Sequence, residues 1–297
     1  MRTAQKLGLI IAGGSLACTT SKVTPANDTH ADHAMSSPSA GAADTSSAIP
    51  PDAAGASARL SSSPRHGEWV MLRTGDGDSL HTWVVYPERS TKAPVVIVVH
   101  EIFGLSDWVR GVADQLAADG FIAIAPDLLT MKNLPSGPDT LVARVATDSI
   151  RTLKPEWIQK QLDAVARYGM SLPAARKTYG IVGFCWGGGV SFAHAVHASN
   201  LGASVVYYGV SPNTSDLASV RAPVLGLYAG NDARVDATIP AADTALRALG
   251  GTYTYNIYPG AGHGFLRNQT GMNGANMTAT RAAWPATISW FRKYLGS

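Results

Sequence analysis

The chain has 297 residues with 24 basic and 21 acidic side chains, which gives a formal net charge of +3. This small charge, with no run of Lys and Arg interleaved with aromatic residues, argues against a nucleic-acid-binding protein. The two cysteines, Cys18 and Cys185, lie in such different contexts that we expect no disulfide between them. The body of the chain holds no apolar stretch of the roughly 20 residues that a membrane-spanning helix needs.

Residues 1–18 have the form of a secretory signal peptide with a lipobox-like end. Arg2 and Lys6 precede a short apolar run from Leu7 to Ala17, and Cys18 follows at once. The Ser-Leu-Ala-Cys end resembles a bacterial lipobox, which implies cleavage before Cys18 and attachment of lipid to its sulfur. We therefore expect export, with a lipid anchor on the periplasmic side of the bacterial cell envelope. A plain secretory signal, leaving a periplasmic or secreted protein, and an uncleaved anchor are the alternatives.

Residues 19–64 are rich in Ser, Ala, Thr, Pro and Asp and contain almost no large apolar side chains. Such a segment buries too little surface to offset the entropy lost on ordering. The composition therefore predicts a disordered linker over 19–64 and an ordered domain over 65–297.

From residue 65 onward, short apolar runs alternate with segments of helical spacing. Strands are predicted at 68–73, 79–87, 94–100, 121–126, 178–182, 203–208, 223–229 and 252–258, and helices at 107–119, 138–151, 155–170, 190–198, 239–249 and 278–295. Alternation of this kind predicts an α/β protein with a mostly parallel central sheet and helices on both faces. Ligands bind such sheets at the carboxyl ends of the strands.

One strand-to-helix junction, Gly183-Phe184-Cys185-Trp186-Gly187-Gly188, has the form of a nucleophile elbow. The turn is sharp, so its flanking positions must be small, and the central side chain is exposed above the sheet. We predict that Cys185 is the nucleophile of an α/β-hydrolase fold. The alternative is a buried structural thiol, since free cysteines are often buried.

A thiol nucleophile needs a base and a group that orients the base. In an α/β-hydrolase the chain order is nucleophile, acid, histidine. Asp232 follows the predicted strand at 223–229, and His263 lies in a glycine-rich loop after the strand at 252–258. They are the predicted orienting acid and base. Asp236 is a rival acid, and the alternative role for Asp232 is that of a turn residue.

The developing oxyanion needs backbone N–H donors. The N–H of Trp186 directly follows the nucleophile, and a second donor is expected from the loop after the strand at 94–100. We predict that Ile102 supplies it. His194 and His197 lie one turn apart on the helix after the elbow and are expected to have packing or surface roles.

Five stretches in order resemble the dienelactone hydrolase family from about residue 68 to 295. They are His100-Glu101-Ile102-Phe103-Gly104-Leu105, Ala125-Pro126-Asp127-Leu128, the elbow, Tyr207-Tyr208-Gly209 and Gly262-His263-Gly264-Phe265. The resemblance implies an α/β-hydrolase with a Cys-His-Asp triad that opens lactones through an acyl-enzyme. It also implies that Glu101 controls the thiol, unless this residue is only a buried capping group.

Two arginines bind the substrate carboxylate in the best-known members of that family. One lies four residues past the catalytic histidine, where this chain has Arg267. The other position holds Met131, next to Lys132, and the residue after the histidine is Gly264 where Ser is common. The resemblance therefore implies Arg267 and Lys132 as substrate-binding residues, while these departures leave the family substrate open.

The sequence as a whole predicts a monomeric, cysteine-dependent hydrolase of small-molecule esters or lactones, acting through an acyl thioester. No metal and no organic cofactor are implied. A non-catalytic envelope binding protein on the same fold is the alternative, and a peptidase is a third hypothesis. Residues 268–277 are predicted to form either a lid or a long surface loop.

Overall fold

The computed structural model describes residues 48–75, 77–132, 134 and 139–296. The predicted signal peptide, the lipidation site Cys18 and the predicted linker up to residue 47 lie outside these residues. The strands are β1 (Gly67–Gly75), β2 (Asp78–Val85), β3 (Ala93–Val99), β4 (Ile122–Pro126), β5 (Ala175–Phe184), β6 (Ala203–Tyr207), β7 (Val224–Ala229) and β8 (Tyr253–Tyr258). The helices are α1 (Ala56–Ser61), α2 (Asp107–Ala118), α3 (Asp139–Ile150), α4 (Pro155–Ser171), α5 (Trp186–His197), α6 (Ala233–Asp236), α7 (Ile239–Ala248) and α8 (Ala275–Leu295).

All of these strands belong to one sheet, in the order β1-β2-β4-β3-β5-β6-β7-β8. The β1–β2 and β2–β4 pairs are antiparallel, whereas every pair from β4 onward across the sheet is parallel. The predicted mostly parallel sheet of an α/β-hydrolase is therefore confirmed. Because β3, β5, β6, β7 and β8 run in one direction, the loops that follow them open at one edge of the sheet.

Helices cover both faces of the sheet, which explains the unbroken apolar run of β3. Val96 and Val98 belong to the core beneath α2 and α8. Val95, Ile97 and Val99 belong to the opposite core, beneath α4, α5 and α7. Alternate residues of one strand thus point into two cores, and a polar residue at any of these positions would be buried.

Helix α5 begins at Trp186, four residues before the predicted start. Three consecutive glycines in its first turn made this stretch a poor helix candidate, because glycine costs about 1 kcal/mol relative to alanine inside a helix. Close packing requires two of these glycines and overrides that preference, because a Cβ would lie 2.4 Å from the carbonyl oxygen of His100 at Gly187 and 2.5 Å from that of Tyr207 at Gly188.

The predicted linker is wrong at its carboxyl end, because residues 48–64 are folded against the domain. Pro51 accepts a hydrogen bond from Trp108 Nε1 at 3.1 Å. Ala56 is fully buried against α2 in the core. Arg65 forms an ion pair with buried Asp114 at 2.6 Å.

We call residues 48–65 the strap. Composition alone missed it because proline and alanine contacts, hydrogen bonds and ion pairs hold it, rather than a run of large apolar residues.

Among the described residues, no helix combines the length and the apolar character needed to cross a membrane.

Candidate active site

The elbow holds Cys185 in a backbone conformation that side-chain-bearing residues rarely adopt. Its φ is 57° and its ψ is −116°. Strain of this kind costs on the order of 1–3 kcal/mol and is typical of functional sites. The N–H of Cys185 donates to the carbonyl of Tyr207 on the neighbouring strand β6 at 3.1 Å, which fixes the turn to the sheet.

The glycines of the elbow are required by close backbone contacts. A Cβ on Gly183 would lie 1.8 Å from the carbonyl oxygen of Gly187. A Cβ on Gly187 would lie 2.4 Å from the carbonyl oxygen of His100. Neither neighbour is a flexible side chain that could give way, so both positions must be glycine. The elbow sequence therefore follows from its geometry.

The structure brings the predicted base and acid together. Nδ1 of His263 donates a hydrogen bond to Oδ2 of Asp232, and the carboxylate is buried. The rival acid, Asp236, does not pair with His263; burial and the charge of Asp232 raise its pKa. An Nδ1–H held by a carboxylate leaves Nε2 free to accept a proton, as a general base must.

Glu101 lies beside the nucleophile in a nearly closed environment. Its side chain is only 6% exposed, and its Oε2 lies 3.3 Å from Nε of Arg267. Burial raises the pKa of Glu101 to about 7, and the charge of Arg267 opposes this shift without cancelling it. Near neutral pH the carboxyl group therefore exchanges between its acidic and ionised forms.

The thiol of Cys185 is protonated at rest. Burial and, second, the negative charge of Glu101 raise its pKa to about 11. The backbone N–H of Trp186 and the positive charge of Arg234 act in the opposite direction and stabilise the thiolate. Any process that removes the Glu101 charge or adds a cation would make the thiolate easier to form.

His100 fixes the loop that carries Glu101 and Ile102. The N–H of Leu128 donates to its Nε2 at 3.1 Å, so the proton is on Nδ1, which donates to the carbonyl of Glu101 at 2.7 Å. Burial lowers the pKa of His100 and keeps the ring neutral. Its ring also stacks on Trp186, with 5.6 Å between centroids.

The predicted oxyanion donors lie at the same place. Ile102 and Trp186 line one cavity together with Cys185. Within the described part of the chain, no backbone oxygen accepts a hydrogen bond from either N–H. The N–H of Trp186 acts on the Cys185 sulfur, and the role of both N–H groups as oxyanion donors stays a prediction.

The sequence matches the Dienelactone hydrolase family over residues 80–295. The chain belongs to the dienelactone hydrolase family. A Salmonella typhi protein to which carboxymethylenebutenolidase activity is ascribed is 31% identical over 239 residues, covering 74% of this chain and 85% of that protein. A Saccharolobus solfataricus protein with the same ascribed activity is 28% identical over 258 residues, covering 76% of this chain and 98% of that protein.

Solved structures agree with this assignment. The crystal structure of a protein assigned as a dienelactone hydrolase, from Klebsiella pneumoniae subsp. pneumoniae MGH 78578, matches with a TM-score of 0.67 and 27% identity. The match covers 77% of this chain and 99% of that chain. Together with the sequence relatives, it identifies a hydrolase of the lactone or carboxylic ester class.

The two residues expected to bind a substrate carboxylate in this family do not lie together beside Cys185. Arg267 pairs with Glu101, stacks over the Phe103 ring at 4.8 Å and lines a second cavity. Lys132 is exposed and lines a third, next to Met131. The prediction that they form one carboxylate-binding pair has no support in these positions.

The charged side chain that lines the Cys185 cavity is Arg234, which no sequence motif singled out. It lies on α6, two residues after Asp232. The position of Arg234 two residues after the predicted acid could have suggested it as a site residue. The direction of its side chain, however, depends on the turn between β7 and α6.

Tyr208 connects the cavity to the base. Its ring lines the cavity with Cys185, and its centroid lies 5.1 Å from that of His263. Its hydroxyl is buried and has no hydrogen-bond partner among the described residues. The backbone at Tyr208 has a φ of 38°, so this residue, like Cys185, occupies an uncommon conformation at the end of a strand.

The remaining predictions near the site concern two histidines and one loop. His194 is buried and bonded to Gln159 and Tyr179, while His197 pairs with Asp163 at 2.8 Å, as expected of packing and surface residues. In the 268–277 segment, Asn276 bonds the N–H of Gly262 at 2.9 Å and the carbonyl of Asn268 at 2.7 Å. These bonds tie the segment to the His263 loop and favour a fixed surface loop over a lid.

Proposed function

We propose that the chain hydrolyses small-molecule esters or lactones through an acyl thioester on Cys185. The observation that carries this proposal is the elbow with Cys185 at its apex, together with a His263–Asp232 pair whose imidazole packs against Tyr208 of the Cys185 cavity, in a dienelactone hydrolase fold. Each group needed for acyl transfer by a thiol is present in this arrangement: nucleophile, base, orienting acid and two backbone donors.

The reaction begins with a protonated thiol. The substrate carbonyl takes its place at the N–H groups of Ile102 and Trp186, and the thiol proton passes to Nε2 of His263. Sγ of Cys185 then attacks the carbonyl carbon, and the negative charge develops on the oxygen held by the two N–H groups. Collapse of this intermediate breaks the ester bond, and His263 gives its proton to the leaving oxygen.

Water completes the cycle. His263, held in orientation by Asp232, takes a proton from water, which attacks the thioester. The acid product leaves and the thiol regains its proton. Glu101 controls the resting state in this scheme, since its charge keeps Cys185 protonated until a substrate is bound.

The test is turnover of a panel of 4-nitrophenyl esters and a dienelactone by the wild type, Cys185→Ala and His263→Ala. We expect activity in the wild type and a loss of about a thousandfold or more in each variant. Undiminished activity in both variants would refute the assignment. Labelling of Cys185 by an iodoacetamide probe without turnover of any ester would instead favour a non-catalytic binding protein.

We propose further that the enzyme is exported and lipid-anchored at Cys18. The support is the basic start, the short apolar run and the lipobox-like Ser-Leu-Ala-Cys of the sequence. Cells supplied with labelled palmitate should incorporate it into the wild type and not into Cys18→Ser. Absence of the label from the wild type, or membrane flotation of Cys18→Ser, would contradict the anchor.

A further inference from the structure

The cavity beside Cys185 is large and mostly apolar. It has a volume of about 580 Å³. Its walls include Ile102, Leu153, Ile158, Val190 and Val210. Cavities of roughly 300–1,000 Å³ hold drug-sized ligands. The space therefore exceeds the need of a small lactone ring and suits an apolar segment of several carbon atoms.

Arg234 adds one charge to this apolar wall. The guanidinium is exposed and lines the same cavity as Cys185. Within the described residues it has no carboxylate in ion-pair range, unlike Arg65, which pairs with Asp114, and Arg267, which pairs with Glu101. Its positive charge acts on the nucleophile: it lowers the pKa of the Cys185 thiol, whereas burial raises it.

The other cations near the site are differently placed. Arg267 already has Glu101 as its ion-pair partner and faces another cavity with Phe103. Lys132 lines a third cavity with Met131 and Trp157. A substrate held against the thiol by the apolar walls therefore meets Arg234 as its available cation.

We infer that Arg234 binds a carboxylate of the substrate, and that the substrate is an ester whose apolar segment of several carbons separates the reacting carbonyl from that carboxylate. The apolar segment lies along the cavity walls and the carboxylate lies at the exposed rim, where the planar guanidinium can bind both of its oxygens. This inference rests on the proposed function and names the substrate class of the same site.

The test compares two esters of one chain length, 4-nitrophenyl hydrogen adipate and its methyl ester. The full chain is assayed as wild type, Arg234→Gln, Arg234→Lys and Arg281→Gln. Arg281 is exposed on α8, so its replacement makes the same change in net charge away from the cavity. We expect the ratio of kcat/KM for the acid to that for the methyl ester to fall at least fivefold in Arg234→Gln.

The controls separate recognition from a general effect of charge. The kcat/KM for the methyl ester in Arg234→Gln reports the effect of the lost charge on the thiol, which both esters share, so the ratio isolates recognition of the carboxylate. The ratio should be unchanged in Arg281→Gln. Arg234→Lys should retain part of the preference. An unchanged ratio in Arg234→Gln would overturn the inference, as would an equal fall in Arg281→Gln.

A second measurement does not require turnover. Cys185 is labelled with 6-maleimidohexanoic acid or its methyl ester, and the adduct at Cys185 is quantified by peptide mass spectrometry. The acid-to-ester labelling ratio should fall at least threefold in Arg234→Gln, and an unchanged ratio would overturn the inference. Failure of the proposed function would appear separately, as no hydrolysis of either ester by the wild type or as full hydrolysis by Cys185→Ala.

Discussion

The two sides of Cys185 have opposite characters. On one side lie buried, charged and hydrogen-bonded groups, where Glu101 meets Arg267 and His100 fixes the connecting loop. On the other side lies an apolar cavity whose charged lining residue is Arg234. Among the charges, that of Glu101 has the larger effect on the protonation of the thiol, while the apolar side governs which molecules reach it. Arg234 belongs to both, since it lines the cavity and also lowers the pKa of the thiol. Reactivity and specificity are therefore set by largely different residues.

The charged side carries an energetic cost. A pKa of about 7 for Glu101, against an ordinary value of 4.5, means that its ionised form is less stable in the folded protein than in water. The difference is on the order of 3 kcal/mol. Buried ionisable groups with pKa values displaced this far cluster at functional sites, which supports a role for Glu101 beyond capping.

Among changes that leave the proposed triad intact, the largest expected effect comes from filling the apolar side with Ala193→Trp. Ala193 lines the cavity, so the indole should occupy the space of the acyl chain. We expect kcat/KM for 4-nitrophenyl hexanoate to fall about 100-fold and that for the acetate to fall much less. Alkylation of Cys185 by iodoacetamide should be nearly unchanged.

Ala282→Trp, at an exposed position of α8, is the matched control and should behave like the wild type. An equal loss for the two esters in Ala193→Trp would show that the cavity does not bind the acyl chain, and the separation of the two sides would fail.

A smaller effect is expected on the charged side from Glu101→Gln. Loss of the neighbouring negative charge should lower the pKa of Cys185 below about 11, because that charge is the second cause of its elevation. Lowering the thiol pKa by one raises the thiolate fraction about tenfold at pH 8, and the rate of alkylation by iodoacetamide should follow. The rate is measured against pH at Cys185 by peptide mass spectrometry.

The same variant should be oxidised by peroxide faster than the wild type, since the thiolate is the reactive form. Glu156→Gln, at an exposed position of α4, is the control and should alter neither rate. Unaltered alkylation and peroxide sensitivity in Glu101→Gln would mean that Glu101 does not control the thiol.

The third prediction concerns stability against pH. Between pH 4.5 and about 7 the folded chain holds a proton on Glu101 that the unfolded chain has lost, so the free energy of unfolding falls as pH rises. In Glu101→Gln this slope is absent. The free energy of unfolding in urea is measured for both proteins at pH 5 and pH 8. The value for the variant minus that for the wild type should be about 1–3 kcal/mol larger at pH 8 than at pH 5. If the difference in the free energy of unfolding between variant and wild type is the same at both pH values, Glu101 does not titrate between them.

The smallest effect is expected where the strap joins the charged side. Gln269 donates to the carbonyl of Pro50 at 2.9 Å and to that of Leu266 at 3.1 Å. Gln269→Met should leave both acceptors unpaired and cost about 1 kcal/mol, or roughly 2–4 °C in Tm. The preference among acyl chain lengths should not change, because Gln269 does not line the apolar cavity. A changed preference would link the strap to specificity.

The fold could be predicted because its signals are local. The apolar run of β3, the glycine-flanked Cys185 and the loops that end in Asp232 and His263 each follow from the period or the position of a few residues. The carboxyl ends of parallel strands meet at one edge of a sheet, so the order of these residues along the chain was enough to bring them together.

The direction of long side chains could not be predicted. The resemblance implies Arg267 as a substrate-binding residue, but its guanidinium turns toward Glu101 and Phe103, and Arg267 is not among the residues that line the Cys185 cavity. Arg234 was missed for the same reason. The strap was missed because its contacts are made with distant partners, such as Arg65 with Asp114, which no local pattern reveals.

The elbow also limits how this lineage can evolve. Gly183 and Gly187 have backbone atoms where a Cβ would lie, so a descendant that loses either glycine must rebuild the turn. The sulfur of Cys185 carries no such restriction, and a single nucleotide change converts a cysteine codon into a serine codon. Thiol and hydroxyl nucleophiles are therefore a single mutation apart on this scaffold.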